Sequence, residues 1–160
     1  IYAPPCNASQ VLRIDCMRGD ADMIGKSFGS DQPQKWRCAA LGADGKIYAA
    51  PWHALNVLRI DCATGEVMEI GEEMVESDNK WRSILAVPAC GEGSPVGSLW
   101  SAPYCAGQLL NVDLANDAIN LLGPAPPEPE EPVYRFVDSD QEAAEDEEAE
   151  VEVPAVESEA

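Results

Sequence analysis

The residues best suited to bind a ligand form a cationic and aromatic tripeptide that occurs twice, as Lys35-Trp36-Arg37 and Lys80-Trp81-Arg82. An ammonium or guanidinium group attracts an anion, and an indole face can stack on a planar or carbohydrate-like surface. The alternative is structural: each Trp packs in a core, and the cations beside it stay in solvent. The sequence leaves both interpretations of the tripeptide open.

Catalytic and metal-binding chemistry has few candidates in this chain. His53 is the only histidine, so no second imidazole can form a proton-transfer pair with it. A zinc site would need several clustered Cys or His ligands, and the six cysteines include no CxxC pair. We therefore predict no catalytic residue, no metal ligand and no cofactor from these residues, and interpret His53 first as a loop residue.

An internal repeat positions these residues. Ile1–Cys16 matches Ile47–Cys62 at 11 of 16 positions, and Leu99–Leu114 is a diverged third copy. Each copy reaches a Gly 24 residues after its first residue, and the copies begin 46 and 52 residues apart. A period in the forties with short β-like segments is typical of a β-propeller blade, because helical repeats would show apolar residues every three to four positions.

Each period contains strand-like segments separated by turn signals. In the second copy they are WRCAALG, KIYAAP, NVLRID and EVMEIG. Asp15, Asp61 and Asp113 share one repeat position, where we expect each carboxylate to open a hairpin turn. We predict an all-β fold: a partial β-propeller of nearly three four-stranded antiparallel blades over residues 1–123, with a partial blade over 1–25 and blades over 36–71 and 81–123.

The cysteines are interpreted as free, buried thiols rather than disulfides or metal ligands. Cys16 and Cys62 occupy the same repeat position, so they should lie on successive blades, beyond the roughly 7 Å Cα separation that a disulfide spans. A reducing compartment such as the cytoplasm is favoured. The cysteines are Cys6, Cys16, Cys38, Cys62, Cys90 and Cys105.

The second copy, GADGKIYAAP followed by NVLRIDCATGEVMEIG, resembles the blade repeat of streptogramin-lyase and gluconolactonase-like propellers and of the related NHL and kelch-like groups. It also resembles the DGKIYxxPxxAxxVLxID repeats of propeller proteins from algae and other protists. The resemblance covers residues 1–123. It implies the blade and not an activity, since propeller function lies in loops that differ between families.

The resemblance also implies what a catalytic member would contain. A streptogramin-type lyase would have a pair of histidines with a carboxylate, and His53 alone cannot supply that pair. Gluconolactonase-like propellers hold a divalent cation with Glu, Asn and Asp at the centre of the disc, and we match no such set residue by residue in this sequence.

If the chain follows the usual path of a blade, both tripeptides lie near the central opening, beside the loops that join the second and third strands. A ring of such residues could hold an anionic or carbohydrate-like ligand. The candidate ligand-binding residues are Lys35, Trp36, Arg37, Trp52, His53, Lys80, Trp81, Arg82 and Tyr104.

Residues 124–160 form an acidic segment that begins with PAPPEPEEP. It carries 14 acidic residues and one Arg, a net charge of −13 out of −19 for the whole chain. With few large apolar residues it should stay disordered. It could be a solubilising tail, or bait for a basic partner. An acidic chain is a poor candidate for binding a nucleic-acid backbone, and no apolar run is long enough to cross a membrane.

Three functional hypotheses follow. The first is a non-catalytic scaffold that binds a protein or small ligand through one propeller face. The alternative is a fragment of a lyase or lactonase-type propeller enzyme whose catalytic residues lie in missing blades. In the third, the acidic tail is itself the functional element. Because fewer than about four blades cannot close a ring, we also expect further blades of the same chain, or a second copy, to cover the terminal blades.

Overall fold

The computed structural model describes residues 1–74, 78–89 and 96–124, and the statements below concern those residues. Their regular secondary structure consists of antiparallel strands in three sheets. In each sheet, strands that follow one another in sequence are also neighbours in space. Among the described residues, no helix has the length and apolar character that a membrane span requires.

The three sheets correspond to the three sequence copies. The first blade contains β1 Tyr2–Ala3, β2 Val11–Asp15 and β3 Asp20–Ile24. The second contains β4 Ala40–Leu41, β5 Lys46–Ala49, β6 Val57–Asp61 and β7 Val67–Ile70. The third contains β8 Leu85–Val87, β9 Ser98–Ser101, β10 Leu109–Asp113 and β11 Ala118–Leu122. The predicted all-β fold, with one three-stranded and two four-stranded blades, is confirmed in the described part of the chain.

The predicted role of the repeated aspartate is also confirmed. Asp61 Oδ1 accepts hydrogen bonds from the backbone N–H groups of Ala63 at 2.9 Å and Thr64 at 3.0 Å. Asp15 Oδ1 and Asp113 Oδ1 accept equivalent bonds in the other two blades. The bonds from Thr64 and Ala63 favour the ionised carboxylate and lower the pKa of Asp61. Each aspartate therefore fixes the hairpin between the last two strands of its blade.

The innermost strands are shorter than the sequence predicts. WRCAALG was expected to form one strand, but only Ala40–Leu41 pairs regularly, and Trp36 forms an isolated bridge with Pro51. Trp81 forms the equivalent bridge with Pro103. From Trp36 to Ala40 there are four residue steps, but they face only three steps from Tyr48 to Pro51, so a one-residue bulge separates each bridge from the regular ladder. The two bridges also confirm that Trp36 and Trp81 occupy equivalent positions.

The second blade is packed between the other two, and its strands bury both faces. On β6, Leu58 and Ile60 join an apolar cluster with the first blade. Val57, which points to the opposite face, joins a second cluster with Leu110 and Val112 of the third blade. These five side chains have no exposed surface. Burial on both faces explains why VLRI is continuously apolar in sequence.

Several sequence predictions fall partly outside the described residues. The prediction of free thiols is confirmed for the five described cysteines, but the prediction of burial is wrong: Cys6, Cys38 and Cys62 are half-buried, and Cys16 and Cys105 are exposed. Cys90 and the acidic segment after residue 124 lie outside the described residues.

Candidate functional site

A chain of backbone hydrogen bonds links the loops of the three blades at one edge. Lys35 N–H donates to Cys6 O at 2.9 Å, and Trp52 N–H donates to Lys35 O at 2.8 Å. Lys80 N–H then donates to Trp52 O at 3.0 Å, and Tyr104 N–H to Lys80 O at 2.8 Å. The bonds alternate between the tripeptides and the loops between the second and third strands. They bring the predicted site residues of different blades side by side.

The lysines of both tripeptides lie beneath this surface. Lys35 and Lys80 are each only 1% exposed. Lys35 Nζ donates to Gln32 O at 2.9 Å and to Gly29 O at 3.1 Å, and Lys80 Nζ lies 3.4 Å from His53 O. Carbonyl oxygens therefore replace the water that an ammonium group needs. Neither lysine is a solvated neighbour of its Trp, and neither is included in the site proposed below.

The tryptophans of the tripeptides are also buried, each 2% exposed. Trp36 Nε1 donates to Asn56 O at 2.9 Å, and Trp81 Nε1 donates to Gln108 O at 3.0 Å. The ring of Trp36 packs edge-on against Phe28, with 5.0 Å between ring centroids. This is the arrangement that the structural interpretation of the tripeptide predicts, with each Trp packed in a core.

The arginines of the tripeptides lie on the surface, where each contacts an aromatic ring. The guanidinium carbon of Arg37 lies 4.9 Å from the ring centroid of Trp52, and that of Arg82 lies 5.9 Å from the centroid of Tyr104. The two rings are themselves 5.4 Å apart and tilted by 36°. Arg37, Trp52, Tyr104 and Arg82 form a continuous series across the second and third blades, which we call the rim. Trp52 is 4% exposed and Tyr104 is 59% exposed, so Tyr104 presents most of the accessible aromatic surface.

His53 lies beside Trp52 of the rim. Its ring stacks on Trp52, with centroids 6.3 Å apart and 8° between the planes. Its Nε2 lies 3.2 Å from Asn79 Oδ1, and its Nδ1 lies 3.5 Å from Asp78 Oδ1. Both ring nitrogens thus have partners, which suits a positioning role. Trp52 Nε1 donates to Gln34 Oε1 at 3.2 Å.

Gln34, Asn79 and Asp78 are the supporting residues that the sequence analysis missed. Gln34 and Asn79 directly precede the two tripeptides, and both have a φ of 59°, a conformation uncommon for residues other than Gly. A polar residue at the same place before each Lys-Trp-Arg is the sequence signal that could have identified this pair.

The described residues contain no group of three or more His, Cys, Asp and Glu side chains that could hold a metal ion. The rim itself has two guanidinium groups and two aromatic rings, but no nucleophile beside a base. Its chemistry suits attraction of an anion and stacking on a ring.

No protein-family model matches the chain, and no curated protein matches it. Among solved structures, it is similar to virginiamycin B lyase from Staphylococcus aureus, with 15% sequence identity and a TM-score of 0.55 over 77% of this chain and 37% of that one. It also matches an auxiliary nutrient binding protein from Bacteroides thetaiotaomicron VPI-5482, with 13% identity and a TM-score of 0.48 over 76% of this chain and 32% of that one. The chain thus spans roughly a third of each structure.

These similarities concern the fold. The lyase match and the three antiparallel sheets agree with the resemblance to propellers seen in the repeat sequence. The chain is a β-propeller-like repeat protein.

Proposed function

We propose that the protein is a non-catalytic propeller scaffold that binds an anionic, ring-containing ligand, such as an acidic carbohydrate, on the rim. The observation that carries the proposal is the state of its two arginines. Within the described residues, Arg37 and Arg82 have no carboxylate partner within 4.0 Å, whereas Arg13, Arg18 and Arg59 each do. In a chain of net charge −19, two arginines without a carboxylate on one surface favour a role in binding.

The aromatic contacts support the same function. Each guanidinium lies near a ring face, which holds the planar group in place while leaving N–H donors for a bidentate bond to a carboxylate, sulfate or phosphate. Tyr104, between the two arginines, offers an exposed ring for stacking. Preorganised donors next to a stacking surface reduce the ordering that binding would otherwise require.

Titration calorimetry with an oligogalacturonate, whose sugar rings carry carboxylates, tests this proposal. Arg37→Gln and Arg82→Gln should each weaken binding by about tenfold or more, because a hydrogen bond to a charged group contributes roughly 1.5–3 kcal/mol. Tyr104→Ala should also weaken binding, and a neutral galactose oligomer should bind less tightly than the acid. Added salt should weaken binding of the acidic ligand.

Arg18→Gln is the matched control, since it removes the same charge from an exposed hairpin turn of the first blade. Equal affinities for the wild type, Arg37→Gln and Arg82→Gln would refute the rim as the binding surface. Equal losses in all three variants would show that only the net charge matters.

The second candidate is a lyase or lactonase-type propeller enzyme, and the similarity to virginiamycin B lyase is the observation that favours it. Its catalytic residues would lie beyond this chain, because His53 is the only histidine here and cannot form a proton-transfer pair. The full-length protein, incubated with virginiamycin B and followed by liquid chromatography, should show no consumption if it is a scaffold. Consumption that persists in His53→Gln would favour the enzyme, with its catalytic residues outside this chain.

A further inference from the structure

Two blade faces are left uncovered among the described residues, and the repeat defines what each would fit. Inside the chain, one face of a blade packs on the following blade, and the opposite face packs on the preceding blade. We call these the trailing face and the leading face. The leading face of the second blade includes Leu58 and Ile60, and that of the third includes Leu110 and Val112. All four side chains are fully buried.

The leading face of the first blade carries the same kind of residues without a cover. Leu12 and Ile14 hold the positions of the buried pairs Leu58 with Ile60 and Leu110 with Val112. Strand pairing extends them into two apolar rows across the sheet. The rows are Ala3, Leu12 and Met23, and Ile1, Ile14 and Ala21. Ile1 is 70% and Met23 is 46% exposed, so the face is apolar and open.

The trailing face of the third blade is the matching surface. Leu109 and Leu122, 42% and 43% exposed, pair across β10 and β11. They hold the positions of Val57 and Ile70 on the second blade, which pack against the third. The surface that covers a leading face inside the chain is thus present, uncovered, at the other end of the stack.

The polar groups at the blade junctions match as well. At the first junction, Arg13 pairs with Asp22 of its own blade, and the facing residue of the next blade is Gly65. At the second junction, Arg59 lies opposite Met68 in its own blade and forms an ion pair with Asp117 of the third blade. Asp117 stands at the repeat position of Gly65. Arg13, which hydrogen-bonds a carboxylate of its own blade, meets a glycine; Arg59, whose own-blade partner Glu66 is 3.6 Å away and 57% exposed, hydrogen-bonds an aspartate of the next blade.

The two free faces follow the first of these patterns. On the third blade, Asn111 stands at the position of Arg59 and Asn120 at that of Met68. Asn120 Nδ2 donates to Asn111 Oδ1 at 3.1 Å, and Asn111 Nδ2 donates to Leu99 O at 3.3 Å, so the pair is satisfied within its blade. On the first blade, Gly19 stands at the position of Asp117. No charge would be left without a partner at this position if the two faces met.

We propose that these faces bind each other between two copies of this chain, with the trailing face of the third blade on the leading face of the first. Such a contact joins different surfaces and is therefore head to tail. Two copies joined at both ends would contribute six sheets, within the range of about four to eight blades in closed propellers. The proposal is independent of ligand binding at the rim.

Light scattering after size exclusion, in reducing buffer at about 100 μM protein, should give twice the 17.2 kDa mass of the chain. Leu12→Glu and Leu109→Glu each place a charge in one face and should raise the dissociation constant at least about tenfold. Met17→Glu is the matched control, because Met17 is 95% exposed in a hairpin turn. Circular dichroism checks that each variant keeps its sheets.

Mixing the two variants gives the decisive measurement. Leu12→Glu keeps an intact trailing face and Leu109→Glu an intact leading face, so the mixture should form a one-to-one complex although each variant alone is monomeric. Three results would overturn the proposal: a monomeric wild type at this concentration, a Leu12→Glu or Leu109→Glu variant that associates like the wild type, or a mixture that forms no complex.

Discussion

Asp117→Gly should destabilise the protein more than Asp22→Ala, which removes the carboxylate partner of the equivalent arginine at the first junction. Glycine is chosen at position 117 because Asp117 has a φ of 57°, a conformation that alanine disfavours. Asp117 Oδ1 lies 2.7 Å from the Tyr48 hydroxyl, and Oδ2 accepts from Arg59. The side chains of Arg59 and Asp117 are 16% and 27% exposed, so neither is fully hydrated. Losing the charged bond to Arg59 should cost about 2 kcal/mol, while the Tyr48 hydroxyl keeps Asp44 Oδ2 at 2.9 Å as a partner. Glu66, 3.6 Å from Arg59, offsets part of that cost.

Urea unfolding followed by circular dichroism measures this loss as a lower midpoint with an unchanged slope. Asp22→Ala is the matched control, because Asp22 is the ion-pair partner of Arg13, which holds the repeat position of Arg59 on the first blade. Those two side chains are 46% and 42% exposed, and exposed ion pairs contribute little. Equal midpoint shifts for the two variants would refute the reasoning that burial gives the Asp117 cluster its strength.

The remaining predictions concern pH and backbone conformation. Burial, and the hydrogen bond from the Tyr48 hydroxyl to Asp117, raise the pKa of Tyr48 above its usual value of 10.0. The contribution of Tyr48 to stability should therefore be complete below pH 10 and decline as pH rises further. Absorbance at 295 nm should show one fewer tyrosine ionising in the folded wild type than in the unfolded chain, and equal numbers in folded and unfolded Tyr48→Phe. Gly25→Ala should destabilise more than Gly19→Ala in thermal melts: both glycines have positive φ, near 77° and 75°, but an added Cβ at Gly25 would lie 2.6 Å from Val67 Cβ, whereas Gly19 faces open space. Equal melting temperatures for the two alanine variants would contradict that close approach.

The repeat made the blades predictable because each strand had a second copy in the sequence. Trp36 and Trp81 could be matched before any coordinates, and both form the same bridge to a proline. The burial of Lys35 could not be predicted. Its ammonium group donates to the backbone carbonyl oxygens of Gly29 and Gln32. Every residue has such a carbonyl, so the sequence cannot show which of them will accept these bonds. The one-residue bulge that interrupts the inner strands could not be predicted either, because it depends on how two strands pair.

Asp117 shows a second limit of repeat reasoning. By alignment it replaces Gly65, and it adopts the same left-handed conformation, with φ of 57° against 76°. Asp is among the few residues that tolerate this conformation. The turn therefore keeps its shape, and the alignment gives no sign that Asp117 has an additional role. Asp117 stabilises the junction through hydrogen bonds with Arg59 and Tyr48 of the neighbouring blade. Aligning the repeats does not show which residues face each other across a junction.

In each tripeptide the residues that pack the blades are separate from the arginine that contributes to the rim. The side chains of the rim could therefore change without disturbing the packing of the blades. Trp36 donates to the backbone of Asn56 and is buried, whereas Arg37 is exposed and lies against the ring of Trp52. Cys6, Trp52 and Tyr104 hold one position in the three copies, and the backbone chain that joins them uses only N–H and C=O groups. Their side chains can therefore differ without breaking that chain, as they already do. It follows that the aromatic surface is confined to the second and third blades, so a ligand on the rim would contact those blades and not the first.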